Sequence, residues 1–368
     1  MHVRRSGAPS RIRFLPWMRS AYIERFESAP DATTYFVHEE YLDRSLLDGQ
    51  KYVKTTRLAL VFRLLRGDYD VFAVPEPFWV VEAPYTTLIV LIARLSTWLR
   101  GRPISVVTYA IENADSSSLL GLPTWVPARF RRLALSLFAL PLVLGISRFA
   151  FGTDGARANY LTGLAPWIAR RVSRRSAYFP PLAPICSCAG LSKEPGTVLF
   201  LGPLATRKGF DTLLEAWPTV VARAPGAKLW VCGQGVLQDD LDRAIEQGRS
   251  ITQILGASRL EIHELLARAE VLVSLPRSES RWREQIGLSI VEGLSHRCHI
   301  VTTSDTGIAD WLALHGQTVI ADGRSSSAAA DALSKALCDP VAADDLPSVN
   351  GRAVAERWMF GCDANVRA

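Results

Sequence analysis

From residue 198 onward the chain repeats one pattern. A short aliphatic run is followed by a polar or glycine-containing turn, then by a longer stretch of helical spacing. The runs cover residues 198–201, 229–232, 251–255, 271–275, 300–303 and 318–320. Aliphatic runs without apolar/polar alternation suit strands covered on both faces, and parallel strands need helical crossovers to join them. The repeat therefore predicts a doubly wound parallel sheet. The first half reads the same way less regularly. Strands are expected at 12–15, 33–37, 71–74, 104–108 and 149–154, and helices at 20–28, 55–65 and 85–99. Residues 177–184 contain three prolines and read as a linker. A chain of 368 residues accommodates two cores. The expected division is 1–180, 181–350, and a terminal helix in 351–368 that packs back on the first domain.

Charge is unevenly divided. Residues 1–180 hold 24 Lys+Arg against 14 Asp+Glu, a net of +10, while the rest carries −4. A basic half suggests an anionic partner, either nucleic acid or an anionic membrane face, against the plainer reading of a solvated surface. Aromatic residues are not interleaved with the arginines as stacking platforms require, so nucleic acid is not expected. Hydrophobic content of 48% describes a globular chain. Residues 1–20 are basic and broken by Pro9 and Pro16, unlike a secretory leader. The longest apolar run, 133–146, contains Pro141 and is too short for a bilayer core of roughly 30 Å. The expected compartment is the cytoplasm, with peripheral contact at the inner membrane face as an option, and six reduced cysteines fit it. Cys186-Ser187-Cys188 lacks any second ligand cluster, so no zinc site is expected.

Chemistry concentrates in two stretches. The first runs from Arg283 through Glu284, Gln285, Ile286, Gly287 and Leu288 to Leu294, in the segment that follows the 271–275 strand. Glu292 stands inside its apolar part, and a buried carboxylate needs a partner. A buried arginine, backbone amides or a ligand would each serve. The second stretch, Gly202 to Leu214, carries Arg207-Lys208-Gly209 between a strand and a helix. Gly233-Gln234-Gly235 lacks the third glycine of a dinucleotide fingerprint, so NAD is not expected.

Two glutamates eight apart, with Gly-Leu after the first, resemble the E-x7-E motif of retaining glycosyltransferases. These have two Rossmann-like, doubly wound parallel-sheet domains facing a cleft (GT-B), and family 4 is the nearest resemblance. The likeness covers about 198–320. It implies a nucleoside-diphosphate sugar as donor and no required cofactor or metal. Lys208 and Arg207 would meet the diphosphate, and Glu284 a hydroxyl of the transferred sugar, with Glu292 on the ribose. Gly202, Gln285, Ile286, Gly287 and Leu288 would line the donor, and Leu255 and Gly256 the base. The implied acceptor is a saccharide or lipid-linked molecule of surface-polysaccharide or glycolipid assembly. Some positions depart from the family pattern: Pro203 replaces an arginine and Asp310 a glutamate. His296 and His299, at a helix–strand junction, read as structural.

The first domain departs further. After its first strand the chain reads Pro16-Trp17-Met18-Arg19-Ser20, without the glycine-rich loop usual in the family, so either Arg19 supplies charge there or the domain contributes little to donor binding. Asp68 and Asp70 form a D-x-D at the wrong end of their strand for a ligand site. Glu76 lies beyond the carboxyl end of that strand and faces the cleft. Glu112 and Asn113 follow the next strand and either grip an acceptor hydroxyl or cap a loop. Arginines 129, 131 and 132 precede the apolar run, and 170, 171, 174 and 175 follow it, a pattern suited to anionic lipid or to a solvated helix end. The rival to an enzyme is a catalytically silent protein of the same fold.

Overall fold

The computed structural model describes residues 10–362 except 80, 115–119, 122–124, 191 and 280–281. The basic start expected for residues 1–10 lies, but for Ser10, outside the described residues, as does 363–368. The chain forms two compact units. One contains the residues up to Pro180 together with those from Arg352 onward, and the other is Pro181–Gly351.

The first unit is built on β1 (Arg11–Met18), α1 (Ser20–Glu27), β2 (Thr33–Glu39), β3 (Tyr52–Lys54), α2 (Arg57–Arg66), β4 (Val71–Val74), α3 (Ala83–Arg100), β5 (Ser105–Ala110), α4 (Ala128–Gly145), β6 (Arg148–Phe151), α5 (Asp154–Leu161), α6 (Pro166–Ser173) and β7 (Ser176–Tyr178). The strands make one parallel sheet in the order β3-β2-β1-β4-β5-β6-β7. Its core is rich in aromatics, with Tyr160 stacked on Phe78 at 4.2 Å between ring centroids. Three expectations need correction. Strand β1 runs through Pro16 to Met18. The short strand β3 carried too little apolar signal to be seen. The last strand of this unit is β7, inside the segment read as linker. It pairs only with β6, at the sheet edge, where Pro180 and Pro181 end it without costing a ladder bond.

The second unit follows with β8 (Glu194–Leu201), α7 (Phe210–Arg223), β9 (Lys228–Cys232), α8 (Gln238–Glu246), β10 (Ile251–Ile254), α9 (Arg259–Arg268), β11 (Ala269–Val273), α10 (Leu288–Ser295), β12 (His299–Thr303), α11 (Ala309–Leu314), β13 (Thr318–Ile320) and α12 (Ser326–Cys338). The sheet is parallel throughout, in the order β10-β9-β8-β11-β12-β13. The order reverses between β8 and β11, so their connections leave in opposite directions. In open sheets of this kind the gap at the carboxyl ends of those two strands is where ligands bind.

Helix α13 (Gly351–Met359) returns to the first unit. It is held there by a buried charge cluster. Arg13 of β1 donates through Nε to Glu356 at 3.0 Å, pairs with its other oxygen, and donates to Thr34 Oγ1 at 2.7 Å. Arg352 reaches the same carboxylate at 3.0 Å. Both Arg13 and Glu356 are fully covered, so neither can fall back on water. Glu356→Ala is expected to destabilise the protein by about 3–5 kcal/mol in urea denaturation, because it strands two guanidinium groups. A loss below about 1 kcal/mol would rank the cluster with surface pairs instead.

Candidate active site

The loops after β8 and β11 meet at the reversal point of the second sheet. They are joined by backbone: Leu275 N–H donates to Lys208 O at 3.3 Å, and Arg277 N–H to Arg207 O at 3.0 Å. Gly209 makes this approach possible. Its φ is +68°, and a Cβ there would lie 2.1 Å from the carbonyl oxygen of Leu275. Helix α7 starts at the next residue, so its positive end faces the same gap.

This packing sets side chains from both loops together. Lys208 pairs with the carboxylate of Glu284. The Trp282 ring lies beneath both cations of the first loop, 4.7 Å from Arg207 Cζ and 5.5 Å from Lys208 Nζ. Arg277 clasps the start of α7 through Asp211 at 3.0 Å and Thr212, and donates to Gly323 O at 3.0 Å. Gly287, at φ +73°, turns the chain into α10 directly after Ile286. The result is a surface with cations and a helix start on one side and a carboxylate held against them on the other.

Glu292, one turn into α10, pairs with Arg259 of α9 at 3.0 Å, so a mostly buried arginine does partner it. Leu255 is exposed beyond the end of β10, and Gly256 takes φ +63° beside it. Gly202 ends β8, its N–H bonded to Cys232 O at 3.0 Å. Trp282, Arg277 and Arg259 were not anticipated. Arg277 had a usable signal, since it directly follows the proline that stops β11.

In the first unit, Glu76, Glu112 and Asn113 are all buried, at the carboxyl ends of β4 and β5. Glu76 accepts from Tyr160 O–H at 2.9 Å and from Ile111 N–H at 2.6 Å. Glu112 accepts from Ala114 N–H at 2.9 Å, the loop-capping arrangement. Arg19 is paired with Glu40, and Asp70, the second aspartate of the D-x-D, with Arg102 and Ser10 N–H. At the reversal point of this sheet Trp17 and Trp79 lie 5.1 Å apart, a half-buried aromatic pair that sequence reasoning passed over.

The fold gives Cys186 and Cys188 a second ligand pair that the sequence does not show, His263 of α9 and His296 after α10, with all four ligand atoms within 4.8 Å of one another. His299 is structural, as expected: it bonds Thr318 at 2.8 Å and accepts from Val341 N–H at 2.8 Å.

Residues 195–339 match the family model described as Glycosyl transferases group 1. The second unit carries a group 1 glycosyltransferase domain. The reversal-point loops, Glu284, Glu292, His263 and His296 all fall inside that domain. A GDP-mannose-dependent alpha-(1-6)-phosphatidylinositol monomannoside mannosyltransferase of Mycobacterium tuberculosis is 25% identical over 172 residues, 45% of each chain. The lipopolysaccharide core biosynthesis glycosyltransferase LpsE of Rhizobium meliloti is 31% identical over 121 residues, 33% of each chain. The chain thus spans less than half the length of these curated relatives. Among solved structures, Anabaena HepE in complex with UDP and glucose superposes with a TM-score of 0.61 over 95% of both chains, at 14% identity. The fold around the group 1 domain is therefore the two-unit α/β fold of such proteins (GT-B).

The buried Glu76 gives a pH test. Burial is the main cause that pushes its carboxyl up to about 8 from an ordinary 4.5, with the nearby Glu112 adding to it against the Tyr160 hydrogen bond. The folded protein therefore holds a proton that the unfolded chain releases above 4.5. Its contribution is complete below that pH and is lost as pH rises toward 8. Unfolding free energies of wild type and Glu76→Gln, measured across this range, should show the wild type losing ground as pH rises. A difference that stays flat would mean that Glu76 is ionised in the folded state.

Proposed function

We propose that this chain is a retaining glycosyltransferase that moves a sugar from a nucleoside-diphosphate donor to a saccharide or lipid-linked acceptor. The second unit binds the donor and the first the acceptor. The observation that carries this reading is the Lys208–Glu284 pair at the reversal point of the sheet, inside a group 1 domain.

On donor binding, Lys208 exchanges Glu284 for the diphosphate, joined by Arg207 and the start of α7. Glu284, relieved of its cation, accepts from a hydroxyl of the sugar. Glu292, aligned by Arg259, accepts from the ribose, and the amides from Gln285 to Leu288 line the phosphate side. Gly202 allows close approach, while Leu255 and Gly256 border the base. The bond from the anomeric carbon to the diphosphate oxygen breaks, and its electron pair stays on that oxygen. The acceptor oxygen bonds to the same face of the carbon, and its proton passes to the departing phosphate. The fixed cations stabilise charge that grows only in the transition state, so the step needs no metal ion. In the first unit, Glu112 and Asn113, backed by Glu76, meet the acceptor, and Trp17 and Trp79 offer aromatic surface to a sugar ring. The names of the relatives, which concern a phosphatidylinositol mannoside and a lipopolysaccharide core, support glycolipid or surface-polysaccharide assembly as the setting.

A thermal-shift screen of UDP-, GDP- and ADP-sugars tests this. One nucleotide family should raise the melting temperature of the wild type and fail to do so with Glu292→Ala. Lys208→Ala should slow transfer on the order of 10²–10³-fold. A well-folded wild type that responds to none of the three families would sink the donor site.

A lipid-linked acceptor also accords with the outer face of the first unit. Leu88, Leu91, Leu95 and Trp98 of α3 form one exposed apolar stripe, and Phe130, Leu133, Leu137 and Leu144 of the adjacent α4 form another. Exposed Arg129 and Arg132 stand on α4, and Arg170 and Arg171 on its neighbour α6. Among the described residues no helix is long and apolar enough to cross a membrane. Apolar stripes flanked by arginines suit shallow seating in an anionic lipid surface. Vesicles rich in anionic lipid should co-sediment the wild type but not a Leu91→Glu, Leu137→Glu variant, and zwitterionic vesicles should bind neither strongly. Equal binding of wild type and variant would remove the proposal.

A further inference from the structure

The geometry points to a structural zinc site in the second unit, made by Cys186, Cys188, His263 and His296. The four come from three separate places: the loop preceding β8, the middle of α9, and the residue that closes α10. Side chains this far apart in sequence have no local reason to converge, yet their four ligand atoms lie within 4.8 Å of one another. Two thiols and two imidazoles are a common structural zinc set, and soft sulfur with imidazole in this number favours zinc over oxygen-seeking cations.

The distances fit an ion at the centre. Both sulfurs approach His263 Nδ1, at 3.7 and 3.9 Å. A tetrahedral zinc with such ligands has edges of about 3.3–3.8 Å. The sulfur–sulfur separation is 2.8 Å and the separation of the two imidazole nitrogens 2.9 Å. An ion seats by opening those two edges by roughly 0.5–1 Å, within the reach of side-chain rotation.

The surroundings orient the ligands. His296 donates its Nδ1–H to the carbonyl of Glu292 at 2.6 Å, which leaves the Nε2 lone pair aimed at the cluster, the arrangement that usually stands behind a metal-bound histidine. The backbone N–H of Cys186 donates to Ser295 O at 2.7 Å, fixing the cysteine loop to the end of α10. Lys193 donates to His296 O at 2.7 Å and to the carbonyls of Leu266 and Ala269, tying the ends of both helices together. Arg259 Nη2 stands 3.4 Å from His263 Nε2. Once Nδ1 takes the metal, Nε2 carries the proton, so Arg259 turns away from it and wholly to Glu292. The ion would close a clamp on three segments and align the Arg259–Glu292 pair without touching a reacting atom.

This inference stands apart from the transferase reading, and its test does not involve a nucleotide. Untagged protein, produced with zinc in the medium and purified without chelator, is analysed for metal by mass spectrometry. One zinc ion per chain is expected, absent from a Cys186→Ser, Cys188→Ser variant and retained in Cys338→Ser. Cobalt(II) added to chelator-stripped wild type should give thiolate-to-cobalt charge transfer and the intense visible bands of a tetrahedral site. These wild-type readouts decide the matter even if the double variant does not fold. Wild type with only trace zinc and no cobalt spectrum would overturn the proposal. So would a Cys186–Cys188 disulfide in protein handled without reductant.

Discussion

The site rests on one close approach of backbone to backbone, where Gly209 passes beneath the carbonyl of Leu275. Strands β8 and β11 are neighbours whose connections leave in opposite directions, and the loops they shed would otherwise have no reason to touch. With no side chain at 209, the two loops bond through Lys208 O and Arg207 O, and α7 begins at the point of contact. Everything charged at the site follows from that register. Lys208 and Arg207 are presented by one loop, and Glu284 and Trp282 by the other. Any residue larger than glycine at 209 would force them apart, because the obstacle is a carbonyl and not a side chain that could rotate away.

The resting pairs have a second consequence. Both glutamates of the spaced motif are already neutralised, Glu284 by Lys208 and Glu292 by Arg259. A carboxylate this covered would be costly without its cation, and the cation without a carboxylate would repel its neighbour Arg207. Holding them together keeps the Lys208 charge in position beside Arg207 and the start of α7. A diphosphate arriving as proposed above would compete with one carboxylate for Lys208 and would not need to order a free side chain.

Much of this was legible in the sequence, for a physical reason. Parallel strands covered on both faces leave an aliphatic signature, so all six strands of the second sheet were placed to within a few residues, and the glutamate spacing with Arg-Lys-Gly marked the loops at its reversal point. What escaped were short edge strands and partners brought in from elsewhere. β3 and β7 have three residues each and owe their conformation to a neighbouring strand more than to their own composition. Arg259 and His263 lie on an ordinary polar helix, and nothing in a linear reading says that they face α10. The same blindness hides the cluster at Cys186 and Cys188, because the fold supplies its second ligand pair from 75 residues or more away.

Helices α9 and α10 show how the hidden and legible parts meet. Arg259 and His263 are four apart on one, and Glu292 and His296 four apart across the end of the other, so each helix presents two side chains one turn apart toward its neighbour. The upper rung is an ion pair and the lower rung a pair of imidazoles, joined by the bond from His296 to the carbonyl of Glu292. A shift of either helix along its axis would break both rungs at once. The carboxylate expected to grip the nucleotide is therefore positioned less by the apolar run that surrounds it than by a polar ladder, and whatever sits at the foot of that ladder sets the alignment of Glu292.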